Sequence, residues 1–200
     1  MYTLIGNPKT RAFRVLWMLE ELGVPYDLIP DAPNGEIASK HNPTGKIPVL
    51  MHGDVAIVDS VAAMTYLADK HGAMTHPAGS IERALQDSLT QFLNDEFDGS
   101  LWVAARHRFI LPEEKRVPAV EETLKWEFKR SVTALDARVG DGPFLTGDMP
   151  TIPDMLLAHL SGWAYRFEFP KLSKSIVEVA KRMQAMESYK RADAIRNPPA

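Results

Sequence analysis

The chain has 200 residues, a length that allows one domain with a substantial core or two modest domains. Hydrophobic residues make up 45% and charged residues 24%, a balance typical of folded proteins, so wholesale disorder is excluded. The net charge of -3 disfavours a nucleic acid or an anionic membrane surface as the partner. Because there is no cysteine, any thiol chemistry must use a thiol that arrives with the substrate.

The six histidines are spread along the chain without an HExxH motif, so we expect no metal site and no tightly bound cofactor. The N-terminal residues lack the basic and apolar regions of a signal peptide. The apolar runs are far shorter than a membrane span. The sequence therefore predicts a soluble, cytoplasmic protein.

The first 75 residues alternate between strand and helix signals. A helical pattern begins at Thr10, and Gly23 is placed to end it as a left-handed residue with Pro25 just beyond. In chain order, the predicted elements are strand 2–5, helix 10–22, strand 26–29, loop 30–35, strands 47–51 and 55–58, and helix 60–72.

Strand signals disappear after a linker-like stretch at 73–80, and helical periodicity dominates the rest of the chain. The predicted helices cover 81–101, 118–139, 151–167 and 174–194. In the first of them, the residues expected to face inward are Leu85, Leu89, Phe92, Leu93 and Phe97. The chain is thus predicted to hold an α/β domain followed by an all-α domain.

The segment Thr151-Ile152-Pro153-Asp154 has the pattern of a helix start. Thr151 at the N-cap can accept from the amide three residues on, while Asp154 accepts from the amide of Thr151, which makes a capping box. Pro153 lies in the first turn, where its missing N–H costs nothing. We interpret this segment as a folding signal and not as a site.

The segment NPTGKIPVL (42–50) places Pro48 at the start of a strand-like run. A cis peptide bond can persist before such a proline when the fold holds it. The backbone of Ile47 would then be free to pair with an extended peptide. An edge strand that is bordered by proline and binds nothing explains the pattern equally well.

The sequence places Ser60 at the N-cap of the third predicted helix, with Asp59 beside it. Helix N-termini bind carboxylates through unpaired amides and the helix dipole, and Asp59 can pair with an ammonium group. Together the two residues suit the zwitterionic end of an amino acid. The alternative is that they only cap the helix, which is the commoner role of these residue types.

The first strand-to-helix turn, Asn7-Pro8-Lys9-Thr10-Arg11, offers polar groups at a helix N-terminus. A hydroxyl or amide there can donate to a thiolate, and Lys9 or Arg11 would favour the anion further. Lowering the pKa of a thiol by about 2 units corresponds to about 2.7 kcal/mol of preference for the thiolate. The alternative is that Thr10 merely caps the helix.

Taken together, these segments resemble the cytosolic glutathione S-transferase superfamily, with the character of a bacterial-type member. The resemblance spans nearly the whole chain. The segments that resemble the family are, in chain order, RAFRVLWMLEELGVPY (11–26), NPTGKIPVL (42–50), VDSVAAMTYLADKHG (58–72), FLTGDMPTIPDMLLAHL (144–160) and MQAMESYKRADA (183–194). It implies a thioredoxin-like glutathione-binding domain (1–74), a linker (75–82), a C-terminal helical-bundle domain (83–200), and a homodimer.

The resemblance also assigns residues to glutathione, the implied co-substrate. Pro48 is the cis-proline, and the backbone of Ile47 pairs with the cysteinyl part. Asp59 and Ser60 hold the γ-glutamyl end, where the family often has a glutamate one methylene longer than Asp59.

Lys46 meets the glycine carboxylate of glutathione in this assignment, with Lys40 or His41 as further candidates. The family commonly places Ser, Tyr or Cys at the position that activates the thiol, and none of these residue types occurs in this turn. Thr10 is the predicted thiolate donor, and Lys9 is the alternative.

The implied activity is that of a glutathione transferase, in which the bound thiolate attacks a small hydrophobic electrophile. The helical domain would hold this electrophile around Trp102, Arg106 and Tyr165. Glutathione-dependent isomerisation, dehalogenation or disulfide reduction would use the same thiolate site. A non-catalytic glutathione-binding protein of the same fold is the alternative from another class.

Overall fold

The computed structural model describes residues 1–198, which divide into two compact units. The first unit is Met1–Pro77 together with the C-terminal segment that starts at Gln184. The second is Ala78–Met183. The division into domains 1–74 and 83–200 stays a prediction. In the structure, the segment that starts at Gln184 makes its contacts with the first unit.

The first unit contains a four-stranded mixed sheet in the order β2-β1-β3-β4. β1 pairs in parallel with β2 and antiparallel with β3, and β3 pairs antiparallel with β4. The strands are β1 (Tyr2–Ile5), β2 (Tyr26–Ile29), β3 (Val49–His52) and β4 (Val55–Val58). Three of these strands have the predicted bounds. β3 starts two residues later than predicted, after Pro48.

The α-helices of the described chain are α1 (Ala12–Leu22), α2 (Glu36–His41), α3 (Ser60–His71), α4 (Ile81–Phe92), α5 (Gly99–Ala105), α6 (Val120–Asp136), α7 (Ile152–Arg166), α8 (Lys174–Gln184) and α9 (Glu187–Arg196). None of these helices is both long and apolar enough to cross a membrane. The fold confirms the predicted class: a thioredoxin-like α/β arrangement followed by a helical region.

Helix α1 forms the centre of the first unit, because its residues 12–19 are all buried. Gly23 ends it with φ +62°, which confirms the predicted left-handed cap. Trp17 is fully buried, donates to the hydroxyl of Ser188 on α9 over 3.1 Å, and packs against the ring of Tyr189. Helix α9 is therefore part of the core around α1.

The predicted helix 174–194 is wrong as a single element, since α8 ends at Gln184 and α9 begins at Glu187. Each helix has its own partners: α8 buries Ile176, Val179 and Met183 in the second unit, whereas α9 packs on α1 in the first. A sequence pattern cannot show this break because helical spacing continues across it.

In the second unit, α4 and α5 belong to one helical run that extends through π-helical segments at Leu93–Asp98 and Arg106–Ile110. The predicted helix 81–101 is therefore too short. Leu85 was expected to face inward and is 59% exposed, whereas Leu89, Leu93 and Phe97 are buried as predicted. The buried face of α4 includes Arg83 and Gln86 instead. Gln86 directly follows Leu85 in the chain.

The capping box at the start of α7 is present as predicted. The carboxylate of Asp154 is fully buried and accepts from the backbone N–H groups of Leu145 and Thr151 over 2.7 and 2.8 Å, and from the Thr151 hydroxyl over 2.9 Å. Burial raises the pKa of Asp154, and these hydrogen bonds offset part of that rise. Asp154 thus ties the 145–151 loop to the helix.

An ion pair inside the second unit joins Glu121 on α6 to Arg108. The guanidinium donates two hydrogen bonds to the carboxylate, over 2.6 and 2.5 Å, and a third to the backbone carbonyl of Phe167. Hydrogen bonding from Arg108, then from Lys125, lowers the pKa of Glu121 to about 2 despite partial burial. The pair therefore couples the stability of this unit to pH.

We expect Glu121→Gln to lose about 1–3 kcal/mol of stability near pH 7, since the carboxylate is stabilised only when ionised. A carboxyl group whose pKa falls on folding contributes stability above its unfolded value of about 4.5, and that contribution disappears as pH falls toward about 2. The difference between wild type and variant, measured by urea unfolding across that range, should shrink accordingly. Glu178→Gln is the control, because its pair with Lys181 is exposed. A pH-independent difference would contradict the assignment.

Candidate functional site

Gly6 begins the turn between β1 and α1 and lies next to the segment that carries the predicted cis-proline. Its φ of +145° is accessible essentially to glycine alone. A Cβ atom at Gly6 would lie 3.1 Å from the Cβ of Ala12, 3.2 Å from the Cβ of Ile47 and 3.5 Å from the Cα of Pro48. The turn between β1 and α1 therefore lies directly against residues 47 and 48.

The Ile47–Pro48 peptide bond is cis, as the resemblance implied. The Ile47 side chain packs on a buried cluster of Ile5, Ala38 and Val49. Within residues 1–198, no hydrogen bond is formed by the backbone N–H or C=O of Ile47. The side chain is thus anchored while the peptide groups stay available for an extended ligand.

The side chain of Asn42, which is 6% exposed, stabilises the loop that precedes Ile47. Its side-chain amide donates to the carbonyl of Lys46 over 2.8 Å and accepts from the backbone N–H and the hydroxyl of Thr44. The backbone of Asn34 adds a hydrogen bond to the carbonyl of Gly45 over 2.7 Å. These bonds fix the path of the chain into Pro48.

Helix α2 was not predicted, since it has six residues and only Ala38 buried. The carboxylate of Asp31 accepts from the N–H groups of Ala32 and Ala38, which fastens the preceding loop to the helix. The short helix places Lys40 and His41 at its C-terminal end. Such a helix depends on tertiary contacts more than on its own propensity.

The N-cap of α3 is Asp59, and Ser60 is the first helical residue, so the placement of Ser60 at the N-cap was wrong by one position. Asp59 has φ +77°, a conformation that L-residues adopt only when the surroundings enforce it. One oxygen of its carboxylate accepts from the N–H groups of Val61 and Ala62 over 2.8 and 3.1 Å. The other oxygen, Oδ2, makes no hydrogen bond to any of residues 1–198.

Ser60 is buried and its hydroxyl accepts a hydrogen bond from Nη1 of Arg14 over 3.3 Å. Because the oxygen of Ser60 accepts from Arg14, its proton is available to a ligand acceptor. Arg14 is 1% exposed and lies on α1, so it brings a positive charge beneath the Asp59–Ser60 turn. Arg14 was not predicted as a site residue, because it falls among the apolar residues of an amphipathic helix.

The turn at residues 7–10 is closed by its own hydrogen bonds. The Thr10 hydroxyl donates to the carbonyl of Asn7 over 2.7 Å and accepts from the N–H of Ala12 over 3.2 Å. The backbone N–H of Lys9 donates to the side-chain oxygen of Asn7 over 2.8 Å. Thr10 therefore supports the first turn of α1 from the position before the N-cap residue Arg11, and its proton is already donated to the carbonyl of Asn7.

The predicted partners of the glycine carboxylate are exposed side chains of α2 and of the loop that follows it. Lys40 pairs with Glu36 over 2.8 Å, a solvent-exposed contact that costs little to exchange for another anion. Lys46 is exposed and directly precedes Ile47, and its ammonium group meets no acceptor among the described residues. His41 is exposed at the end of α2.

The predicted electrophile-site residues lie in the second unit. Trp102 on α5 and Arg106 in the π-helical segment are half-buried one helical turn apart, and Tyr165 on α7 is 89% exposed. A cavity of about 500 Å³ nearby is lined by residues between 104 and 121, His107 and Arg108 among them. Among the described residues, no three His, Asp or Glu side chains are grouped closely enough to hold a metal ion.

The fold is that of a thioredoxin-like domain in which, within residues 1–198, the backbone of Ile47 and Oδ2 of Asp59 make no hydrogen bond. Residues 10–70 match the family model described as the glutathione S-transferase N-terminal domain. Glutathione S-transferase 3 of Schizosaccharomyces pombe is 34% identical over 82 residues, covering 39% of this chain and 34% of that protein. Elongation factor 1-gamma of Prunus avium is 28% identical over 161 residues, covering 76% and 37%.

The chain thus spans about a third of the length of these two relatives. A probable glutathione S-transferase of Oryza sativa is 28% identical over 161 residues, covering 74% of this chain and 73% of its own length. The structure of a glutathione transferase from Methylococcus capsulatus superposes with a TM-score of 0.85, 22% identity and 98% coverage of both chains. One from Phanerochaete chrysosporium in complex with oxidized glutathione has a TM-score of 0.81, 23% identity and coverage of 98% and 96%.

Residues 10–70 thus match a glutathione S-transferase N-terminal domain, and the described part of the chain has the fold of solved glutathione transferases.

Proposed function

We propose that the protein is a glutathione transferase that binds glutathione along the first unit. In this proposal, the backbone of Ile47 pairs with the cysteinyl residue. Ser60 and the free oxygen of Asp59 hold the carboxylate and ammonium of the γ-glutamyl end. Lys46, with Lys40 or His41, meets the glycine carboxylate.

The observation that carries the proposal is the contact at Gly6. The cysteinyl residue paired with Ile47 would have its thiol next to the turn after β1, since Gly6 allows that turn to lie against Ile47 and Pro48. A ligand held at Ile47 by backbone hydrogen bonds would therefore present its sulfur to the N-terminal end of α1. This arrangement suits a tripeptide thiol better than an arbitrary peptide.

Catalysis would consist of stabilising the thiolate and orienting it. A polar group of the turn that carries Lys9 and Thr10, assisted by the positive end of α1, lowers the pKa of the bound thiol. The sulfur then attacks an electrophilic carbon, a carbon–sulfur bond forms, and the leaving group departs with its electron pair. The electrophile would bind against the second unit near Trp102, Arg106 and Tyr165, in a homodimeric cytoplasmic enzyme.

Calorimetric titration with glutathione, together with thiolate absorbance of the bound ligand against pH, tests the proposal. We expect saturable binding and a pKa of the bound thiol well below that of free glutathione. An ordinary thiol has a pKa of about 8.5. A panel of aromatic halides, activated alkenes, haloalkanes and mixed disulfides would then separate conjugation from dehalogenation and disulfide reduction. The absence of glutathione binding would contradict the proposal.

A second candidate is a non-catalytic glutathione-fold binding protein. The observation in its favour is that elongation factor 1-gamma proteins of plants are among the relatives, with 28% identity in the matched region. The departure of the turn from the Ser, Tyr or Cys pattern points the same way. Tight glutathione binding with an unshifted thiol pKa would favour this candidate over the enzyme.

A further inference from the structure

Residues 7–10 of the turn between β1 and α1 include three polar side chains, Asn7, Lys9 and Thr10, as candidate donors to a bound thiol. They differ in whether their hydrogen-bond donor groups are already engaged within the protein. The hydroxyl of Thr10 has one proton, and that proton is donated to the carbonyl of Asn7 over 2.7 Å. To serve a thiolate, Thr10 would have to give up a hydrogen bond that closes the turn.

Asn7 is in the opposite situation. Its side-chain oxygen accepts from the N–H of Lys9 over 2.8 Å, which determines which end of the amide is the oxygen. The NH₂ end, Nδ2, has two protons, and no described residue accepts a hydrogen bond from it. The side chain is exposed, and it directly follows Gly6, the residue in contact with Ile47.

We infer that the side-chain amide of Asn7 is the catalytic residue that donates a hydrogen bond from Nδ2 to the glutathione sulfur. This inference rests on the proposed function, because it assumes that glutathione pairs with Ile47. The amide is held in place by its bond to the N–H of Lys9 before any ligand arrives. A donor that is already oriented costs little reorganisation when the thiolate forms.

Lys9 is a weaker candidate for the same role. Its ammonium group is exposed on a flexible four-carbon chain and is strongly hydrated, so fixing it on the sulfur costs side-chain entropy and desolvation. Its charge would still favour the anion at a distance, in a manner that salt screens. A hydrogen bond from Asn7 would be insensitive to salt by comparison.

The test measures the pKa of the bound thiol, by thiolate absorbance at saturating glutathione, in wild type and four variants. We expect Asn7→Ala to raise this pKa by about one unit, which corresponds to a tenfold loss in the thiolate equilibrium. Asn7→Asp keeps an acceptor for the N–H of Lys9 and adds a negative charge, so it should raise the pKa further. If Asn7 only shaped the turn, Asn7→Ala would raise the pKa of the bound thiol, while Asn7→Asp would leave this pKa as in wild type.

Gln91→Ala is the matched control, since it removes an exposed side-chain amide from α4 and should leave the pKa of the bound thiol unchanged. Thr10→Val removes the competing hydroxyl. A pKa that rises in Thr10→Val and stays unchanged in Asn7→Ala would overturn the inference and assign the donor to Thr10.

Failure of the inference and failure of the proposed function give different results. If wild-type protein does not bind glutathione, or binds it with an unshifted thiol pKa, the proposed enzyme is wrong and so is the role of Asn7. If the wild-type pKa is lowered and Asn7→Ala keeps it lowered, only the role of Asn7 is overturned.

Discussion

Replacing Gly6 by alanine is expected to lower the free energy of unfolding by about 1–3 kcal/mol and to weaken glutathione binding at least about tenfold. The backbone at φ +145° is unfavourable for any residue with a Cβ atom. The new methyl group would also lie 3.1 Å from Ala12 and 3.2 Å from Ile47, closer than ordinary contact allows. The turn and the Ile47 segment must therefore move apart.

Gly23→Ala is the matched control for this effect. Gly23 also has a left-handed backbone, with φ +62°, but a Cβ atom there would meet nothing within 4 Å. We expect it to cost about 1 kcal/mol of stability and to leave glutathione affinity unchanged. Chemical unfolding and calorimetric titration of both variants provide the measurements. Equal glutathione affinities for the two variants would show that the contact between Gly6 and Ile47 does not shape the site.

Asp154→Ala should produce the largest loss of stability of the substitutions considered, on the order of 3–5 kcal/mol. The change removes the acceptor of three hydrogen bonds and leaves the backbone N–H groups of Leu145 and Thr151 buried without a partner. It also creates a small void, because Asp154 is fully buried. Unfolding in urea, followed by far-ultraviolet circular dichroism, measures the effect.

Asp148→Ala changes an exposed carboxylate of the neighbouring loop and should stay within about 0.5 kcal/mol of wild type. Asp154→Asn keeps an oxygen acceptor for one N–H group but faces the other with an amide donor. We therefore expect its stability to fall between those of wild type and Asp154→Ala, which also gives a usable variant if alanine prevents folding. A loss for Asp154→Ala as small as that for Asp148→Ala would show that the capping box is not important for stability.

Local signals in the sequence determined much of the fold. Three strands of the sheet have the predicted bounds, Gly23 ends α1, and Thr151 with Asp154 caps α7. Each of these features depends on residues close together in the chain: a short apolar run closed by turn residues, a glycine after a helix, or a cap and its partner three residues on. The motif around Pro48 also located the segment with the cis peptide bond.

The tertiary structure decided the features that join distant parts of the chain. The burial of Arg14 against Ser60, the break between α8 and α9, and the exposure of Leu85 depend on which neighbours surround each helix. Helical spacing alone does not specify those neighbours. The role of the turn at Asn7 belongs to the same group, because both Thr10 and Asn7 suit a helix start in sequence. Only the direction of their hydrogen bonds distinguishes the donor that is engaged from the one that is free.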